Sequence, residues 1–214
     1  MTGDEGGRVR RWLRQLSRTM TLRQVLAAGA TVVVLASGLF GGLATARTAG
    51  PTEIVAGEPF HAEPFDLTVE RLRWSDDLGL DEDVRGRYLV AVATVENTSD
   101  HPVYTSTVRD SVRLKGLDGF YTGLLGEETG RSDDAAPQVL VLADASPLSA
   151  VAPGLEYEVA FVWEQAASEP LPTEATVAVS AWTWRRSSLD DQLMWFDPTV
   201  THAGTLAVSQ GRAS

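Results

Sequence analysis

The chain of 214 residues contains no cysteine. That excludes a disulfide framework, a thiolate zinc site, a cysteine nucleophile and a lipid-modified cysteine. A domain of this size must then rest on its hydrophobic core, and about 150 residues suffice for that. Catalytic signatures are missing as well: there is no Gly-x-Ser-x-Gly, no glycine-rich phosphate loop after a strand and no His-Glu-x-x-His. The three histidines, His61, His101 and His202, stand far apart in sequence without metal-ligand spacing. Nothing singles out a carboxylate pair for glycoside hydrolysis. The expectation is a protein without enzymatic activity and without a cofactor, since activity has to be argued from a site.

Positive charge is scarce beyond the N-terminus. Arg8, Arg10, Arg11, Arg14, Arg18 and Arg23 crowd the first 24 residues against Asp4 and Glu5 alone. After Ala46 the balance reverses to 27 acidic and 12 basic residues, a net charge of −15. So acidic a domain argues against nucleic acid or anionic lipid as its partner.

Between the two regions, the 23 residues from Gln24 to Ala46 carry no charge. As a helix at about 1.5 Å per residue they would reach ~34 Å, enough for a ~30 Å hydrocarbon core. A buried helix of a soluble domain would normally keep a polar face, so a transmembrane helix is expected. The arginines before it predict a cytoplasmic N-terminus and an extracytoplasmic remainder. Ala44-Thr45-Ala46 has the form of a signal-peptidase site, which leaves a cleaved signal peptide as the alternative. The apolar stretch, however, exceeds the usual ~7–15 residues of a signal peptide. Gly38 and Gly42 form a Gly-x-x-x-Gly that would let two such helices approach closely, as a homodimer through the membrane requires.

Past residue 56 the clear periodicity is two. "FDLTVERLRW" places Phe65, Leu67 and Val69 on one face and resumes as Leu72 and Trp74, a change of phase that predicts a bulge near Glu70-Arg71. "YLVAVATVEN" is apolar on both faces, as a central strand of a two-layer sandwich would be. It ends in Asn97-Thr98-Ser99-Asp100, whose side chains bond their own backbone in turns. The same triplet satisfies a glycosylation sequon, but the turn accounts for every residue of it. Asp118-Gly119 predicts a hairpin between "SVRLKG" and "GFYTG". "QVLVLAD", "LEYEVAFVWEQ", "ATVAVSAWTWRR" and "HAGTLAVS" add further strands, while "DDQLMWFDP" fits either a strand or a helical turn. The result is an all-β antiparallel sandwich. Its expected limits are residues 1–23 for a basic cytoplasmic segment, 24–46 for the transmembrane helix, 47–56 for a linker, 57–207 for the sandwich and 208–214 for a tail.

The order of these motifs resembles a family. A valine-rich strand ending in Asn-Thr-Ser, a turn at Asp118-Gly119 before Tyr121, and Val151-Ala152-Pro153-Gly154 leading into "YEVAFVWE" look like the telokin-like, immunoglobulin-like domains of bacterial extracytoplasmic proteins. A secreted mycobacterial immunogenic antigen family belongs among them. The similarity spans about residues 57–165 and departs from the pattern in lacking a lipidated cysteine. It implies an immunoglobulin-like sandwich in the bacterial cell envelope and usually no enzymatic activity. The family has no agreed catalytic residues to carry over.

Two clusters remain as candidate sites. Asp76, Asp77, Asp81, Glu82 and Asp83 offer hard oxygen ligands that calcium would accept, although the spacing is not that of an EF-hand and a solvated acidic loop explains it as well. Trp182 and Trp184 lie two apart, on one face if the strand is regular, and suit a sugar ring or a partner surface; core packing is the plainer use of tryptophan. The first expectation is therefore a membrane-anchored accessory or interaction module for another envelope or membrane protein. The alternative is a binding domain for calcium or a cell-wall glycan.

Overall fold

Residues 87–97 are apolar on both faces, and a strand can hide both only inside a sheet that is covered on each side. The computed structural model describes residues 50–78, 86–122 and 128–210, all within the second of two units, Gly50–Ser214, into which the chain divides. Among these residues the strands are β1 (Thr52–Glu53), β2 (Pro59–Ala62), β3 (Phe65–Ser75), β4 (Arg87–Asn97), β5 (Val103–Tyr104), β6 (Val112–Lys115), β7 (Phe120–Thr122), β8 (Glu128–Gly130), β9 (Gln138–Val141), β10 (Ala150–Val151), β11 (Glu156–Gln165), β12 (Glu174–Arg186) and β13 (Leu193–Gln210). One short helix, α1 (Thr105–Ser111), precedes β6.

β4 is indeed central. It pairs antiparallel with β3 on one side and with β11 on the other along its whole length. Leu89, Ala91, Ala93 and Val95 point into the main core, while Tyr88, Val90 and Val92 join Leu140, Ala160 and Val162 in a smaller apolar cluster on the opposite face. The layer continues as β2 beside β3 and, beyond β11, as β9 and the β7–β8 pair. The second layer is β6-β12-β13-β1. Between them Phe65, Leu67, Phe161 and Trp163 meet Val177, Val179 and Ile54, forming a β-sandwich. Burial of each such side chain stabilises by about 1.5–3 kcal/mol, and the indole N–H of Trp163 is satisfied by the Ala135 carbonyl at 3.3 Å.

The bulge expected near residue 70 is present: the β3–β4 register shifts between Val69 and Arg71. Other expectations need correction. Asp118-Gly119 does not close a hairpin, because β6 pairs with β12 in one layer and β7 with β11 and β8 in the other. Gly119 supplies the positive φ of 77° that an Asp-Gly turn needs, and Gln165 donates to the Asp118 carbonyl at 2.8 Å. The bend is spent on crossing the core, since Leu114 before it and Phe120 after it are both fully buried. Nor is the sandwich purely antiparallel. β1 runs parallel to β13, and the last residues of β13, Val208–Gln210, leave β12 and run parallel to Leu72–Trp74 of β3. One strand thus stitches both layers at that edge. The ambiguous "DDQLMWFDP" is strand from Leu193 onward. The sandwich also begins earlier and ends later than residues 57–207, with β1 inside the expected linker and β13 reaching Gln210.

No helix among the described residues is long and apolar enough to cross a membrane. The expected span at 24–46, with Gly38 and Gly42, lies outside the described residues.

The β1–β13 contact depends on one missing side chain. A Cβ at Gly204 would collide with the carbonyl oxygen of Ile54, whose amide donates to Ala203 at 3.1 Å. Backbone cannot yield as a flexible side chain does, so Gly204→Ala should lower the unfolding free energy by about 1–3 kcal/mol. Urea denaturation measures it, and an unchanged midpoint would contradict the close approach.

Candidate functional site

β12 and β13 outrun the layer they belong to. β6 leaves β12 after Val179, and β1 meets β13 only at His202–Ala203. Residues 180–186 and 193–200 therefore pair only with each other among the described residues, as a two-stranded ribbon. Its edges carry protective features: register shifts at Val179/Ser180 and Ala181/Thr183, Pro198, and a bidentate pair from Arg185 to Asp197 at 2.6 and 3.2 Å. The Arg185 guanidinium also lies 4.4 Å from the centre of the Phe196 ring and holds the Asp197 carboxyl below the usual carboxylate range.

The root of the ribbon is fixed by tryptophans. Trp182 donates its indole N–H to Ser111 Oγ at 2.8 Å and its backbone N–H to Glu63 at 2.7 Å. Trp184 faces Trp195 across the ladder, ring centres 5.0 Å apart, and stacks on His101 at 4.5 Å. The strand is not regular at this point: the register shifts between Ala181 and Thr183, and the two rings have separate partners. Trp195 keeps a buried indole N–H without a hydrogen-bond partner.

His101 is held in place by Asn97. The fully buried Asn97 side chain donates to the carbonyls of His101 at 2.7 Å and Val151 at 2.9 Å, and accepts from the Ser99 amide and hydroxyl at 2.9 and 2.7 Å. With its amide so engaged, Asn97 is no acceptor for a glycan in the folded protein. The residues read as a turn from sequence are also the support of the aromatic cluster.

Beyond this root three large apolar side chains are exposed among Arg185, Arg186, Asp190 and Asp191. Leu189 is 97 % exposed, and Leu193 and Met194 are exposed as well; Val200 is exposed at the base of the ribbon, opposite Ser180. Sequence reading passed over them because an exposed leucine is ordinary until the fold gathers several on one projection.

The acidic cluster is placed only in part. Asp76 and Asp77 are exposed just after β3, while Asp81, Glu82 and Asp83 lie outside the described residues. Among the described residues no group of three His, Asp or Glu side chains is placed to hold a metal ion.

The fold brings two distant histidines together. His61 bonds Asp66 at 2.7 Å and Glu63 at 3.3 Å, and the hydrogen bond to Asp66 chiefly raises its pKa. His202 packs on Phe60; burial lowers its pKa, and the charge of His61 lowers it further. Stability linked to His61 is full below about 6.5 and is lost as pH rises through the elevated value. Stability linked to His202 is present above about 6.5 and is lost as pH falls through the lowered value. NMR titration of the imidazole protons should find His61 above and His202 below that point. His61→Gln should move His202 upward without restoring it fully, and a His202 that titrates at or above 6.5 would contradict this arrangement.

No family model matches the chain, and no protein with a curated description matches it. The resemblance to telokin-like domains therefore stands on its motifs alone. Solved structures similar to this chain include an uncharacterised β-sandwich protein from Clostridium difficile 630, 13% identical over 75% of this chain and 97% of that one, with a TM-score of 0.42. Another is the yjhA protein from Bacillus subtilis, 15% identical over 60% of this chain and 79% of that one, with a TM-score of 0.31.

Proposed function

We propose that this protein is a non-catalytic docking module of the bacterial cell envelope. On this reading residues 24–46 anchor it in the membrane, residues 1–23 lie in the cytoplasm and the immunoglobulin-like sandwich stands outside, as in the family it resembles. The β12–β13 ribbon meets another envelope or membrane protein. The observation that carries the reading is the ribbon itself: exposed Leu189, Leu193 and Met194 beyond an anchored Trp184–Trp195–His101 root. Exposed apolar side chains gathered on one projection mark an interaction surface, and an anchored root limits the ordering cost of association. The charge-free 23 residues and the arginines before them support the anchor.

Because the chain has no cysteine, one introduced thiol tests both halves of the proposal. Met194→Cys should react with an impermeant maleimide in intact cells, and a thiol-directed crosslinker on it should capture a second envelope protein. Glu174→Cys, at the far end of β12, should be labelled equally and capture nothing. Labelling only after lysis would overturn the location; the same capture from both positions would overturn the ribbon as the docking surface.

A further inference from the structure

β1 marks the side from which the chain reaches the sandwich. It runs parallel to β13, with Thr52 beside His202 and Glu53 beside Ala203. The Ile54 amide donates to the Ala203 carbonyl at 3.1 Å, and the Ile54 side chain is buried in the core. The chain before Thr52 therefore arrives from the side on which β13 lies before His202, and that is the side of the ribbon. Asp76 and Asp77, just past β3, and Leu171, just ahead of β12, lie at the other end.

Only residues 47–51 separate the uncharged stretch from β1. Those five residues span at most ~18 Å at about 3.6 Å each. Residues 193–200 of the ribbon, at about 3.3 Å each, extend ~26 Å beyond His202 before its turn is counted. The ribbon thus outreaches the tether beside which it projects.

The tip combines an exposed apolar point with unpaired carboxylates on an ordered turn. Ser187 donates its amide to the Gln192 carbonyl at 2.7 Å, and its hydroxyl accepts from the Leu189 amide at 3.2 Å. The Asp190 carboxylate accepts from the Gln192 amide at 3.3 Å, and Arg186 donates to the Asp191 carbonyl at 2.8 Å. Asp190 and Asp191 are exposed and make no ion pair among the described residues. Carboxylates are expensive in hydrocarbon, so such a tip suits a protein surface better than lipid. Its complement is an apolar depression with a basic rim.

We propose that the partner of the ribbon is an integral membrane protein, met at the bilayer surface. The tip seats Leu189 in an apolar depression whose basic rim faces Asp190 and Asp191. This deepens the docking role and rests on it, together with the anchor at residues 24–46. A short tether entering beside the ribbon keeps that end of the sandwich toward the bilayer and turns Asp76 and Asp77 away from it.

The test uses the full chain bearing one introduced cysteine. In phosphatidylcholine nanodiscs with an acceptor dye on the lipid headgroups, a donor dye on Leu189→Cys should transfer energy at least twice as efficiently as one on Leu171→Cys. Equal transfer, or more from Leu171→Cys, would overturn the orientation and leave the docking role standing. A chain that does not enter the discs would overturn the anchor instead. In intact cells, a benzophenone on Leu189→Cys should capture a protein that stays in carbonate-washed membranes, with the crosslink mapped by mass spectrometry beside one of its membrane-spanning segments. Asp190→Asn with Asp191→Asn should cut that capture at least fivefold. Capture of lipid alone, of a protein that carbonate releases, or of a protein that the double substitution leaves equally captured would overturn the partner assigned here. No capture at all would overturn the docking role itself.

Discussion

A single side-chain amide, that of Asn97, ties the end of β4 to the turn at residues 99–101 and to β10. It sits fully buried at the end of β4, the strand on which the larger layer is built. Its NH₂ group bonds the carbonyls of His101 and Val151, and its oxygen takes both donors of Ser99. Its backbone adds the Gly154 and Leu155 turn, and the neighbouring Thr98 reaches Pro64 through both amide and hydroxyl. A buried amide with every hydrogen-bonding site occupied is costly to replace, because each orphaned partner forfeits about 1–3 kcal/mol. Aspartate would fare no better, for it offers an acceptor where two carbonyls require a donor.

What the clamp secures is the end of the sandwich from which the ribbon extends. His101, fixed through its carbonyl, presents its ring to Trp184, and Trp184 meets Trp195 on the opposite strand. Trp182 bonds Ser111 and Glu63 at the same root. A two-stranded ribbon is marginal on its own in water. Here hydrogen bonds and ring contacts from the body of the domain hold its base, so the exposed Leu189, Leu193 and Met194 are carried on an ordered support. A different local event, the one-residue slip in β3, turns Leu72 and Trp74 inward and Arg73 outward.

Local pattern was legible in the sequence to the extent that the cause was local. The two apolar faces of β4 gave its central place, and the break in alternation at Glu70-Arg71 gave the bulge. Pairing between distant segments was not legible. Nothing near Asp118-Gly119 tells whether a tight bend returns a strand to its neighbour or sends it across the core; the burial of both Leu114 and Phe120 decides, and that is a property of the assembled layers. The transfer of β13 from one layer to the other is similarly invisible, since Val208–Gln210 continue the strand without a break in composition. At the candidate site Trp182 and Trp184 stood out by type, yet the bulge that gives them separate partners depends on the register against β13. Asn97 was readable as a turn residue, but its role as a buried hub follows from Val151, 54 residues away.

Amide hydrogen exchange on Asn97→Ala, compared with the unaltered chain, tests the central claim most directly. The account predicts a marked loss of protection at Thr98, Ser99 and Gly154 and at the ribbon root around Trp182, with the β4–β11 ladder remaining protected. Unchanged exchange at Gly154 and Trp182 in a folded variant would contradict it.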